Sequence, residues 1–107
     1  CELMAPAAEK VKAALANITV GTMKVPVVAN VDGQANQDAE RVKELLVQQV
    51  TGTVRWQESV EWIGAQGVTS ALEIGNGTVI KGLIRRINKE LDVTPIGTPD
   101  DIAGVEL

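Results

Sequence analysis

Two short apolar runs, SALEIG at residues 70–75 and DVTPIG at 92–97, flank one helical stretch, TVIKGLIRRINKEL. A strand, a glycine-rich turn, a helix and a second strand form a crossover unit, and crossovers join parallel strands. Upstream the alternation continues. The full order reads helix, strand, helix, helix, strand, helix, strand, helix, which predicts an α/β layer with three short parallel strands. Parallel sheets need both faces covered. Three short strands make a thin one, so the chain reads as the end of a larger sheet.

Each element has its own signal. Met4, Ala7, Ala8, Val11, Leu15 and Ile18 recur at helical spacing and predict an amphipathic helix over 4–17, with Pro6 in its first turn. Val25, Val27 and Val28 around Pro26 predict a short strand ending at Asn30 and turning at Asp32-Gly33. Proline suits the start or an edge of that strand. Asn36 or Asp38 can cap the next helix, whose stripe is Ala39, Val42, Leu45, Leu46 and Val50. TGT breaks it, and a second helix is expected from Thr53, with Trp56, Val60 and Ile63 on one face and Gly67 as a left-handed cap. In the helix over 78–91 apolar residues cover more than one face, so deep packing is expected. Gly82 lies inside it at a cost of about 1 kcal/mol against alanine, which predicts close packing there. Thr98, Pro99 and Asp101 have the spacing of an N-cap, a first residue and a third-position acid for a terminal helix.

Composition narrows the chemistry. Apolar residues make up 45% of the 107, yet there is no Phe or Tyr and only two Trp, so the core is built from Val, Ile, Leu and Ala. No apolar run approaches the roughly 20 residues of a membrane span. A net charge of −4, with Arg85-Arg86 and Lys89 as the main basic cluster, argues against nucleic-acid binding. One cysteine forbids an internal disulfide and a multi-cysteine metal site. With no histidine, the chain has no imidazole base, no Ser-His or Cys-His pair and no ordinary zinc site.

The remaining candidates are modest. Cys1 could be a lipidated terminus or an N-terminal nucleophile, but a helix follows where a tether or a strand would be expected. EIGNG before a helix could present N–H groups to phosphate. It lacks the third glycine of the dinucleotide fingerprint and the phosphate-loop Lys-Ser/Thr pair, so a tight structural turn is the expectation. Asp100-Asp101 suits the start of a helix better than a metal. Glu58 and Glu61 read as solvated helix positions. Arg85-Arg86 suits a helix C-terminus, with an anion site as the alternative. Trp56 and Trp62 read as core or interface anchors. The sequons at Asn17 and Asn76 matter only in a secreted eukaryotic protein.

Several spaced blocks together resemble the bacterial malonyl-CoA:acyl-carrier-protein transacylases. LMAPAAEKVKAAL is similar to the family's Leu-Met-x-Pro-Ala helix, and VPVVANVDG to its Pro-Val-x-x-Asn strand end. LLVQQVTGTVRWQESVEWIGAQGV resembles its Leu-x-x-Gln-x-x-x-x-Val-x-Trp block. LEIGNGTVIKGLIRRI resembles Glu-x-Gly-Pro-Gly-x-Val-Leu-x-Gly-Leu, with Gly75-Asn76-Gly77 in place of Gly-Pro-Gly. Asn tolerates the turn but loses proline's stiffness.

The resemblance implies an α/β fold: the C-terminal part of a hydrolase-like parallel-sheet core, with helices on both faces. Residues 1–107 would be the C-terminal segment of the large acyltransferase domain. The nucleophile elbow, the substrate arginine, the catalytic histidine and a small ferredoxin-like subdomain would lie upstream. The implied reaction is a two-step transfer of malonyl from coenzyme A, through a seryl enzyme, to the phosphopantetheine thiol of acyl carrier protein in fatty-acid synthesis. The histidine would directly precede Cys1. Gln49 is the position whose main-chain carbonyl orients that histidine in the family, the part played by aspartate in the usual triad. Its side chain is not the orienter, so Gln49→Ala is expected to do little while the backbone holds. The implied partners are malonyl-CoA as substrate, acyl carrier protein and the upstream part of the same protein, with no bound cofactor, no metal, no nucleic acid and no membrane, in the cytoplasm. The segment alone is expected to be inactive and marginally stable. A terminal helix ending at Leu107 favours a free-standing enzyme over a polyketide-synthase domain. A non-catalytic carrier-docking module and a lipidated Cys1 protein are the other readings.

Overall fold

The computed structural model describes residues 2–105. Contacts group the chain into two compact units, Cys1–Ser59 and Val60–Leu107.

The first unit opens with a 3-10 turn, Glu2–Met4, leading into α1, Ala5–Ala16. Proline falls in the first turn of α1, where its missing N–H is no loss. A two-stranded ribbon follows: β1, Val27–Val28, and β2, Ala35–Asn36. They pair antiparallel, Val27 with Asn36 and Val28 with Ala35. The expected first strand therefore does not belong to the parallel sheet, and β2 is an element the sequence reading missed. The cause is the turn. Asp32 Oδ1 accepts from Gln34 N–H at 3.1 Å, the Gly33 N–H donates to Ala29 O at 3.1 Å, and Gly33 takes φ 63. A connection this short can only return the chain antiparallel.

α2 spans Ala39–Thr51 and lies against α1. Of its two cap candidates, Asp38 is the N-cap, its Oδ1 accepting from Glu40 N–H at 2.9 Å. Asn36 is buried and braces that cap, donating to Asp38 O and accepting from Asp38 N–H, both at 3.1 Å. Among the described residues of this unit, Ala29 and Leu45 are the buried apolar ones.

α3, Trp56–Ala65, starts three residues after the expected Thr53. Arg55 N–H donates to Asn30 O at 2.7 Å, which ties the preceding segment to the β1 end. Arg55 O then accepts the first helical bond, from Ser59 N–H at 3.0 Å, and the Ser59 hydroxyl at 2.8 Å. Gly67 closes the helix at φ 87, as expected.

In the second unit β3, Ser70–Ile74, pairs parallel with β4, Asp92–Ile96, in register from Ser70↔Asp92 to Ile74↔Ile96. Between them runs α4, Val79–Ile87, which packs on β4. It ends four residues before the expected Leu91. Asn88 turns extended, and its Oδ1 accepts from Glu90 N–H at 3.0 Å, a local bond that competes with helix. α5, Pro99–Ala103, carries the expected capping box between Thr98 and Asp101. Val60, Ile84, Leu91, Val93 and Ile96 form the buried apolar set.

Much apolar surface is left uncovered. Leu3 is 88% exposed, and Ile74 is 81% exposed on the β3 face opposite Glu73. Two parallel strands cannot shield both of their own faces. α4 is likewise not deeply packed all round: Ile84 is buried, whereas Val79 is 75% exposed. Close packing at Gly82 is not found either, since a Cβ there would meet nothing within 4 Å. Gly82→Ala should therefore stabilise the 107-residue chain by about 0.5–1 kcal/mol through helix propensity alone. Urea unfolding measures it. A loss of stability would show that the open side of α4 is covered in solution.

Candidate functional site

Gln49 lies in the last turn of α2, and its surroundings define the site. The helix stops abruptly. Gly52 is extended at φ −83, ψ 165, and its N–H donates to Gln48 O at 2.9 Å. That is the final rung of the ladder. Gln49 O would next accept from Thr53 N–H, but the extended turn carries the chain away, and no backbone N–H from this exit reaches Gln49 O among the described residues. Helix ends leave such carbonyls free for outside donors. The Gln49 side chain is engaged elsewhere, its Oε1 accepting from Asn30 N–H at 3.2 Å. An apolar crevice of about 100 Å³ adjoins it, walled by Gln49 with Met23, Ala29, Val42 and Leu45. The carbonyl can accept a hydrogen bond but cannot donate or take a proton. It can orient a base without being one.

Cys1 lies outside the described residues. The strand-to-helix turn is structural. Gly75 and Gly77 take φ 130 and 87, which glycine adopts without strain. The anion seat at the start of α4 is already filled by the chain itself. Buried Glu73 accepts from Ile80 N–H at 3.1 Å and Lys81 N–H at 2.9 Å. A carboxylate so placed complements the helix dipole and leaves those donors unavailable to phosphate.

The other acids are also structural. Asp101 accepts from Gly97 N–H at 2.9 Å and Thr98 N–H at 3.0 Å. The bond from Gly97, then that with Thr98, holds its carboxyl below the usual carboxylate range. Glu58 pairs with Arg55 at 3.2 Å, and Glu61 is exposed. Trp56 and Trp62 are half-buried. Arg85 and Arg86 sit in the last turn of α4, as the dipole favours. Arg85 also lines a groove of about 250 Å³ with Lys81, Lys89 and the acid Asp92. The three cations outnumber the one carboxylate there, and Arg86 is not part of the groove.

The sequence reading missed Asn30, Gly52 and Glu73 as site-shaping residues. Asn30 acts only through its main chain, so no residue-type signal marks it. Gly52 reads as a simple helix breaker. Glu73 had a usable signal: an acid two residues before a glycine turn that opens a helix.

No family model matches the chain. Individual relatives do. It is 43% identical over 99 residues to the malonyl CoA-acyl carrier protein transacylase of Salmonella typhimurium, covering 92% of this chain and 32% of that one. The crystal structure of acyl-carrier-protein-S-malonyltransferase from Bartonella henselae superposes with a TM-score of 0.83 at 48% identity, over 95% of this chain and 32% of that one. A malonyl-transacylase in complex with its type II PKS acyl-carrier protein superposes with a TM-score of 0.84 at 42% identity, over 96% and 33%. Over nearly its whole length the chain is similar to one segment of the malonyl CoA-acyl carrier protein transacylases. It spans about a third of their length. Its α/β architecture is a segment of the transacylase fold. Among the described residues, no helix is long and apolar enough to cross a membrane.

Glu73→Gln keeps the shape of the α4 clamp but removes its charge, so one N–H loses its acceptor. Losing a charge-assisted bond at a buried site costs about 1.5–3 kcal/mol. The expected outcome is a matching fall in unfolding free energy, with faster amide exchange at Ile80 and Lys81. Unchanged exchange at both would refute the clamp.

Proposed function

We propose that this chain is the C-terminal segment of an acyltransferase that moves malonyl from coenzyme A to the phosphopantetheine thiol of an acyl carrier protein. The single observation that carries the reading is the Gln49 carbonyl, freed from its helix at the position where this family orients its histidine. Upstream residues supply the nucleophilic serine and the histidine. The histidine takes the serine proton as oxygen attacks the thioester, then returns it to the departing thiol. The Gln49 carbonyl accepts from the imidazole N–H on the far side, which fixes the tautomer and steadies the imidazolium. A neutral carbonyl does this less strongly than a carboxylate, and a thioester asks less of the nucleophile than an amide does. Malonyl-CoA is substrate, and no bound cofactor is needed. The upstream part of the same protein covers the apolar faces left open here, and the setting is cytoplasmic.

A second reading, a non-catalytic carrier-docking module, is favoured by the Lys81, Arg85 and Lys89 stripe, whose charge suits phosphate-bearing partners.

The test compares residues 1–107 with the full-length protein, using malonyl-CoA and carrier protein. The expected result is transfer by the full-length protein and none by the segment. Transfer by residues 1–107 alone would sink the proposal. Saturable binding of carrier by the segment, without transfer in either form, would support the docking module instead. Replacing Val50 by its α-hydroxy analogue turns the Gln49 carbonyl into an ester, a weaker acceptor. A loss of about 1 kcal/mol in that bond lowers kcat roughly fivefold, and an unchanged kcat would remove Gln49 from the mechanism.

A further inference from the structure

We propose that Gly52 is a positioning residue, kept free of a side chain so that the Gln49 carbonyl is held at a fixed angle. The inference rests on the reading of that carbonyl given above. Gly52 has no conformational need to be glycine, because φ −83, ψ 165 is open to any residue. What it needs is space. A Cβ would stand 2.5 Å from Val31 Cγ2 and 2.8 Å from Gln48 O. Both distances are far inside contact, and neither neighbour yields easily. Val31 is β-branched and stiff at χ1. Gln48 O is main chain, and it is the acceptor for the Gly52 N–H at 2.9 Å. A side chain at 52 would push on the very carbonyl that its own amide holds.

The peptide so displaced is the one next to the Gln49 carbonyl. The neighbouring restraints make this a hinge with little slack. Asn30 N–H holds the Gln49 side chain at 3.2 Å, and Asn30 O holds Arg55 N–H at 2.7 Å. With both ends of the exit pinned to Asn30, a push at Gly52 is taken up between them, by rotation of the peptides of residues 48–51. Gly21 and Gly82, by contrast, would have nothing within 4 Å of an added Cβ. Gly64 would meet the end of one side chain, the Asn88 amide, at 2.8 Å, but among the described glycines Gly52 alone meets two neighbours inside 3.0 Å, one of them main chain.

The test is made in the full-length enzyme, with rates counted per active site from the burst of malonyl-enzyme. Gly52→Ala should lower kcat about tenfold while KM for malonyl-CoA stays within twofold. A structural defect alone would lower the number of acylating sites and leave the rate per site unchanged. Adding Val31→Ala removes the 2.5 Å contact and leaves that with Gln48 O, so the double variant should recover part of the lost kcat. Gly82→Ala serves as the control and should match wild type. If Gly52→Ala does not fold, the double variant carries the test, and its kcat per site should lie below wild type but above about a tenth of it. A Gly52→Ala enzyme with wild-type kcat per site overturns the proposal, and so does a loss that Val31→Ala fails to relieve. A wild-type protein that transfers no malonyl would instead overturn the reading of the family activity, and an unchanged rate with the Val50 ester would overturn the role of the Gln49 carbonyl.

Discussion

Asn30 spends both of its main-chain hydrogen-bonding groups on one short segment. Its N–H binds the Gln49 side chain, and its carbonyl binds the Arg55 amide. Between those two points α2 stops, the chain turns extended at Gly52, and α3 begins. Backbone groups are rigid anchors because moving them means moving the elements that carry them. The turn after β1 therefore acts as the point against which the end of α2 and the start of α3 are set. The amide of Gln49 has a share in this. Although its side chain stands outside the proposed chemistry, it ties its own helix turn to Asn30. The expectation that Gln49→Ala would do little assumed a backbone that holds by itself. Here the side chain is one of the things holding it.

The second unit follows the same logic with a charge. From within β3, the Glu73 carboxylate accepts from the first-turn amides of α4 and caps it. Gly75 N–H donates to Ile96 O at 3.0 Å, so the turn is also tied to the end of β4. An added Cβ at Gly97 would come within 3.0 Å of Gly75 O. Strand end, turn and helix start are thus fixed together around Asn76 by hydrogen bonds on either side of it.

What could be read from the letters divides by range. The helices over 5–16 and 39–51, the parallel β3–β4 pair and the Thr98 capping box were legible, because periodicity, caps and crossovers are local signals. The β1–β2 ribbon was not. Two residues per strand give no alternation to detect, and its direction is set by the Asp32-Gly33 turn. The start of α3 and the stop of α4 were misplaced for similar reasons. Arg55 is held by a residue 25 positions earlier, and Asn88 ends its helix with a side-chain bond that any asparagine could make. Gln49 was singled out only through resemblance to a family. Its residue type says nothing about a role carried by the main chain.

Pro95 adds a constraint on what completes this fold. It sits within β4, opposite Glu73. Proline has no N–H to give to a sheet and is confined to edge strands. β4 therefore suits the border of a sheet, and any further strand would add on the free side of β3. Apolar surface is open on one face of β3, with Leu72 39% and Ile74 81% exposed. A covering element would bury that face, at a gain of about 25 cal/mol per Å² of apolar surface. Pro95 thus sets the side on which this sheet can add a strand, and Leu72 and Ile74 mark the face that a covering element would bury.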